Sequence, residues 1–428
     1  MPHLILLGTL DTKLDETLYL HTQLHHLAHR FSTPLKITLI DCGRESISNE
    51  NITITHTDLL ARYTPPDIPI PDLSTTPRGE VIAFLTTCVK TCVQDIISKT
   101  EIHGIIGTGG SGGTSLISAA MRATPIGLPK LIVSTIASGD TSSIVAECDI
   151  TLMYSVVDIA GLNRILKEVL GNAAGAIFGM ATAYESRLVE SKSKSKTQLQ
   201  QDEKKPRIGI TMFGVTTPCV DRIRSHLESR YNVEVYVFHA TGHGGKAMER
   251  LIAESRLDGI LDITTTEIAD LIAGGNMACE ASRLEEGLKR GIPNIISLGA
   301  VDMVNFGPKD TVPPEYKDRH LQVHNPSVTL MRTSAEECEK VGEFIVDKIK
   351  RFAVETGLVE VWIPEGGVSV MSKSGGVFED RSVDSVLFRT VREGLQGSGV
   401  RVVDDQRDAN NGGFAVDVAE RLMRLLGQ

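Results

Sequence analysis

No apolar run in this 428-residue chain approaches the length of a membrane span. After Met1 and Pro2 the chain opens with HLILLG, which reads as a strand and not as the charged region plus apolar core of a leader. Basic residues are not in excess: 44 Lys and Arg against 54 Asp and Glu leave a formal charge of −10. That balance argues against a nucleic acid or an anionic membrane as the default partner. Seven cysteines are scattered without framework spacing, and Cys88 and Cys92 lack the second pair a zinc site needs. Reduced thiols in a cytoplasmic protein are the expectation. The Walker phosphate-binding sequence is missing as well, because no Lys follows Gly113. His21, His25 and His29 share a helical face but have no carboxylate companions, so a solvated face explains them better than a metal. What remains is a chain with 41% apolar residues and the length for two or three domains with substantial cores.

The most informative stretch is IHGIIGTGGSGGTSLISAAM, Ile102 to Met121. A short apolar strand meets five glycines between Gly107 and Gly113, and a helical pattern begins at Thr114. A strand, a glycine turn and a helix N-terminus together make an anion site. The amides of the first helical turn lack intrahelical partners, and the helix dipole adds partial positive charge. Glycines are expected to let the backbone approach a phosphate and to adopt positive φ. Gly107, Gly109 and Gly112 fit G-x-G-x-x-G, yet the acidic residue about twenty positions on is replaced by apolar Leu131–Val133. Backbone amides and the hydroxyls of Ser111, Thr114 and Ser115 would then hold phosphate.

Strands are expected at His3–Leu7, Lys36–Ile40, Gly104–Ile106 and Leu131–Ser134, with helices at Leu14–Arg30, Arg78–Thr100, Ser115–Arg122 and Gly161–Glu185. Residues 186–206, polar and low in complexity, read as a flexible linker. Beyond it, strands fit Arg207–Thr211, Glu234–Phe238, Gly259–Asp262, Asn294–Ser297 and Leu358–Trp362. This alternation defines an α/β chain of two Rossmann-like three-layer domains with mainly parallel sheets, 1–185 and 207–428. The halves echo one another. IHGIIGTGGSGGTSLISAAM is matched by LDGILDITTTEIADLIAGGN, and LPKLIVSTIASGD by IPNIISLGAVDMV. Two such domains commonly set their strand ends around a cleft, where ligands bind.

Candidate groups fall at these strand ends. In the turn Gly8–Lys13, Asp11 could ligate Mg²⁺, Thr12 could bond an oxygen and Lys13 could offset phosphate charge; equally, Asp11 or Thr12 could cap an ordinary helix. A second loop, Ser134–Asp140, suits ribose or phosphate. Asp158 and Asn163 could be caps. In the second half TGGSGG gives way to ITTTEI, so side-chain chemistry is expected there, from His239 as acid or base and from the carboxylates Glu267 and Asp302.

The strings IGTGGSGGTSLIS, PIGLPKLIVSTIASG, TMFGVTTPCV, FHATGHGGKAME, LDITTTEIAD and VDMVNFGP resemble the tomato mosaic virus resistance protein-like family, whose members carry a Tm-one-like ATP-binding domain. The resemblance runs through nearly the whole chain and is looser from Leu358 to Gln428. It implies two Rossmann-like subdomains, ATP with Mg²⁺ on the first, and self-association as a homodimer. By matching motif it implies nucleotide contacts from Asp11, Thr12 and Lys13, from Gly110, Ser111, Gly112, Gly113 and Thr114, and from Thr135, Ser138, Gly139 and Asp140. Asp11 and Asp140 would be the residues near Mg²⁺. A barrel-type domain that follows in the plant protein has no counterpart here, and the plant protein's antiviral role does not carry over with the resemblance.

Two functions of different classes remain open at this point. One is a nucleotide-dependent enzyme acting on a small metabolite beside His239, Glu267 and Asp302. The other is an ATP-stabilised dimeric module that binds a protein partner without turnover. A dinucleotide-dependent oxidoreductase is a lesser alternative that rests on the glycine pattern alone.

Overall fold

The structure is a computed structural model and describes residues 1–193 and 205–428. The chain divides into two compact units, Met1–Leu199 and Gln200–Gln428.

Unit 1 holds strands β1 (His3–Gly8), β2 (Lys36–Asp41), β3 (Gly104–Gly109), β4 (Lys130–Ser134) and β5 (Thr151–Tyr154). Its helices are α1 (Leu10–Arg30), α2 (His56–Tyr63), α3 (Arg78–Lys99), α4 (Ser111–Arg122), α5 (Ser142–Val145) and α6 (Arg164–Ser193). The five strands run parallel in the order β2-β1-β3-β4-β5. Alternation along β1 explains why the sheet is covered on both faces. Ile5 and Leu7 join Val81, Leu85 and Ile117 of α3 and α4, whereas Leu4 and Leu6 join Leu20 of α1 and Leu170 and Ile177 of α6.

Helix α4 begins earlier than its apolar periodicity suggests, whereas α1 is kinked at Lys13 (φ −134°, ψ 29°), so its regular part starts at the expected Leu14 after a short first turn. Only Thr9 separates β1 from α1, and only Gly110 separates β3 from α4. The first turns of both helices are therefore pressed against the ends of the central strands. Helix α6 continues to Ser193, so the first eight residues read as linker, 186–193, are helical, while residues 194–204 lie outside those described. Among the described helices, α3 alone is long and apolar enough to cross a membrane, which the apolar-run reading missed. Its residues Val81, Leu85, Cys88, Val89, Cys92 and Val93 pack into the core of unit 1. All seven cysteines are buried and outside any disulfide.

Unit 2 contains β6 (Arg207–Met212), β7 (Glu234–His239), β8 (Gly259–Thr264) and β9 (Asn294–Gly299). A small antiparallel sheet follows, β10 (Met303–Phe306), β11 (Leu321–Asn325) and β12 (Val328–Arg332), and then β13 (Val359–Pro364) and β14 (Arg401–Asp405). The main sheet is parallel in the order β14-β13-β9-β8-β6-β7. Counted from its own first strand, unit 2 repeats the order of unit 1: the second strand flanks the first, and the third, fourth and fifth follow on the other side. In such a sheet the chain reverses its winding direction between the first and third strands. Helices leave to opposite faces there and open a crevice at the carboxyl ends. Each unit thus has one such crevice, β1/β3 in the first and β6/β8 in the second.

Candidate functional site

A cavity of about 590 Å³ occupies the β1/β3 crevice of unit 1. Thr9, Asp11, Thr12 and Lys13 line it from the turn after β1, and Gly110, Ser111, Gly112 and Gly113 from the turn after β3. Thr135, after β4, and Asp158 complete the polar wall, while Val81, Ile82, Leu85 and Leu116 form an apolar one.

Two helix N-termini meet at this cavity. The residue preceding α4 is Gly110, which has no side chain to cap it, and Thr9 makes no capping bond to α1. Neither Asp11 nor Thr12 is the cap that an ordinary helix start would supply. The uncapped first-turn amides of α4 favour an anion by about 0.3–1 kcal/mol at an exposed site and more when partly buried, whereas at α1 the Leu10 N–H already donates to Asp41 Oδ1 at 3.3 Å.

The glycines divide by role. A Cβ on Gly107 would sit 2.8 Å from Ile117 Cδ1, and one on Gly109 would sit 2.9 Å from the backbone of Gly113. These two let α4 lie close on its strand. At Gly112 a Cβ would meet Ile82 Cδ1 at 2.9 Å. Gly110 and Gly113, by contrast, have no neighbour nearer than 3.8 Å, so packing does not explain them. None of the five has positive φ, which corrects the expectation from sequence: closeness of approach, not backbone handedness, is what they provide.

Charge around the cavity is mixed. Lys13 and Arg78 line it as cations. The Arg44 guanidinium is already engaged: it donates to the backbone carbonyls of Leu73, Ser74 (2.9 Å) and Thr76 (3.0 Å) and so ties down the segment leading into α3. Asp11 accepts from the Arg44 backbone N–H through Oδ2 at 2.8 Å.

Several expected contacts lie elsewhere. Thr114 is buried, and its hydroxyl bonds the Gly109 carbonyl (3.2 Å) and Ser134 (2.7 Å), which locks α4 to β3 and β4. Ser138, Gly139 and Asp140 form an exposed loop outside the cavity lining, and Asp140 accepts from Ser142 N–H at 2.9 Å. Asp11 and Asp140 are therefore not brought to one place in the cavity. Asn163 does cap a helix, accepting from Leu166 N–H, while Asp158 faces the cavity. Sequence reasoning missed Arg44, Cys42 and the α3 wall. The start of the α3 pattern at Arg78 was the one available signal.

In unit 2 a cluster of buried charged side chains gathers at the end of β8. Glu267 is wholly buried; its Oε1 accepts from Gly242 N–H (2.8 Å) and Gly245 N–H (3.2 Å), and its Oε2 from Arg283 Nε (3.0 Å). Arg283 grips Asp262 with two bonds of 2.6 and 2.7 Å and reaches Glu249 at 3.5 Å. Burial opposes the Arg283 charge, but Asp262, Glu267 and Glu249 outweigh it and hold the guanidinium pKa well above its usual range. Burial pushes the Glu249 carboxyl up to about 7.

Asp302 is buried in another network, accepting from the Ser369 hydroxyl at 2.7 Å, and burial raises its pKa. His239 stands exposed at the end of β7, edge-on to Phe213 at 5.6 Å. The three groups nominated for chemistry are thus engaged separately, two of them out of reach of solvent. Among the described residues no group of three or more His, Cys, Asp or Glu is placed to hold a metal.

Two domain descriptions of one uncharacterised protein family match this chain. The UPF0261 N-terminal domain covers residues 2–186 and the UPF0261 C-terminal domain residues 205–426. The ToMV resistance protein Tm-1(GCR237) of Solanum lycopersicum is 40% identical over 405 residues, 93% of this chain and 52% of the tomato protein. The chain thus spans about half the length of the tomato relatives it matches. A UPF0261 protein of Clostridium tetani is 39% identical over 425 residues, 99% of this chain and 98% of that protein. Among solved structures, a putative UDP-N-acetylglucosamine 2-epimerase from Listeria monocytogenes overlaps 69% of this chain and 78% of its own, at 11% identity and a TM-score of 0.22. A likeness that slight carries no argument.

Proposed function

The chain belongs to the uncharacterised protein family UPF0261, and from that premise we propose that it is a nucleotide-binding protein whose first unit takes ATP in the β1/β3 crevice. The observation that carries this reading is the uncapped N-terminus of α4 opening, beside the turn at the start of α1, on one cavity of about 590 Å³. That volume lies within the roughly 300–1,000 Å³ common for small-ligand sites.

The triphosphate lies against the amides of Ser111–Gly113 and the α1 turn, where the open space at Gly110 and Gly113 admits it. Lys13 and Arg78 supply countercharge from side chains as the Walker lysine would in other folds. The apolar wall of Val81, Ile82, Leu85 and Leu116 suits a base, and Thr135 is placed to bond a sugar or phosphate oxygen. Asp11 is the group suited to face Mg²⁺ between phosphates, since Mg²⁺ commonly takes one or two carboxylates plus phosphate oxygens. A dinucleotide fits less well, because β4, where the ribose-binding acid would follow, is Lys-Leu-Ile-Val-Ser and buried throughout.

Calorimetry with ATP, ADP, AMP, NAD and NADP, with and without Mg²⁺, tests the reading. ATP should bind at one site per chain, and Lys13→Met should weaken it. Failure of every nucleotide to bind, with a phosphorylated metabolite binding instead, would overturn it.

A further inference from the structure

Arg78 stands where α3 gains nothing from it. It is the first residue of that helix, and a cation there opposes the helix dipole. Its guanidinium reaches the glycine turn instead. A Cβ on Gly112 would lie 3.4 Å from Arg78 Nη2, and both residues line the cavity of unit 1.

The segment that delivers Arg78, residues 64–77, joins α2 to α3 and reads TPPDIPIPDLSTTP. Pro65, Pro66, Pro69, Pro71 and Pro77 lack backbone donors. Ile68 and Ile70 are exposed, so apolar packing does not hold the middle of the segment. Toward its end the Asp72 carboxylate accepts from Ser74 N–H at 3.0 Å, which makes a local turn. The polar tie to the rest of unit 1 is the Arg44 guanidinium, which donates to the carbonyls of Leu73, Ser74 and Thr76. Arg44 is itself fixed at its backbone, whose N–H donates to Asp11 Oδ2. One residue therefore joins the turn after β1 to the chain just before Arg78. A planar guanidinium with several fixed donors can span three carbonyls, whereas an ammonium on a flexible stem is a point donor.

We infer that Arg44 is a positioning residue for the phosphate end of the cavity: it holds residues 73–76 so that Arg78 meets the ligand beside Gly112. The inference rests on the nucleotide reading for the identity of that ligand. Arg44 acts through Arg78, and its own charge is not the working part.

A double-mutant cycle on the full chain, read by calorimetry with ATP, tests this. Arg44→Lys keeps the charge and loses the fork, so a direct countercharge would survive it and a positioning role would not. Arg44→Lys should weaken ATP about tenfold or more, as loss of the Arg78 contact itself would. Combined with Arg78→Met it should add nothing to the loss from Arg78→Met alone, whereas combined with Lys13→Met the two losses should add. A general loosening of the fold would not separate the two combinations. ATP affinity of Arg44→Lys equal to wild type overturns the inference, and so does additivity with Arg78→Met. Inorganic tripolyphosphate is the second probe. If wild type binds it but ignores ATP, the nucleotide reading fails and the same cycle on tripolyphosphate decides the role of Arg44. If wild type binds neither, both fall.

Discussion

The two crevices have the same strand order and opposite contents. In unit 1 the helix after the glycine turn starts uncapped over an open cavity, whereas in unit 2 the helix after the third strand carries Glu267, which fills the amides of the turn after the second strand. The Glu267 carboxylate bonds the amides of Gly242 and Gly245 at the start of the helix Gly244–Ala253, where an exogenous anion would sit. Arg283 balances it, and Asp262, at the strand end, balances Arg283. A shared topology can therefore leave one helix N-terminus open to a ligand and satisfy another internally. What decides between these outcomes is whether the third strand leads into TGGSGG or into TTTE.

The comparison can be broken at its strongest point first. Arg283→Met removes the cation that pairs with the buried Asp262 and Glu267 and the partly buried Glu249. Leaving buried charge uncompensated costs about 3–5 kcal/mol, so chemical denaturation should show unit 2 unfolding at much lower denaturant. A small effect would mean that the cluster is not the anion-filling device described.

Next in size are the cavity cations. Lys13→Met and Arg78→Met should each lose a charge-assisted contact worth about 1.5–3 kcal/mol, roughly a tenfold to hundredfold loss of ATP affinity by calorimetry, with unchanged melting of the free protein. The same loss should not follow from Lys246→Met in unit 2, where the ammonium pairs with Glu280 at 2.8 Å.

A smaller effect concerns pH. Glu249 and Asp270, raised chiefly by burial to about 7, hold protons in the folded chain that the unfolded chain releases near pH 4. The stability they contribute is complete below that pH and is lost as pH rises through 7. Denaturation of wild type at pH 5 and pH 8 should show the decline, and Glu249→Gln should flatten it. A stability that rises across that window in both proteins would contradict the assignment.

Much of this contrast was legible in the sequence, because strand-helix alternation and glycine content are local properties. The strands on either side of both crevices fall within a few residues of expectation, and Thr264–Glu267 reads as a turn without room for phosphate. What escaped depends on long-range placement. Arg44 and the wall from α3 reach the cavity only because α3 packs over β1 and β3. The Ser138–Asp140 loop shows the reverse failure: its position after a central strand suggested contact, yet only Thr135 reaches the cavity. Strands β5 and β14 and the small sheet β10–β12 were missed because they are short and, at β5, β11 and β14, only half-buried, giving little periodic signal.

The central claim is that the β1/β3 crevice is an anion-holding nucleotide site, and the most direct measurement compares ATP binding by wild type and Gly110→Val. Gly110 is extended, at φ −75° and ψ −164°, and the space beside it is open, so valine should leave the fold and its melting temperature nearly intact. The account predicts that wild type is stabilised by ATP, by about 2.7 kcal/mol at roughly a hundred times Kd, and that the variant is not. Equal stabilisation of both proteins would place the nucleotide elsewhere and contradict it.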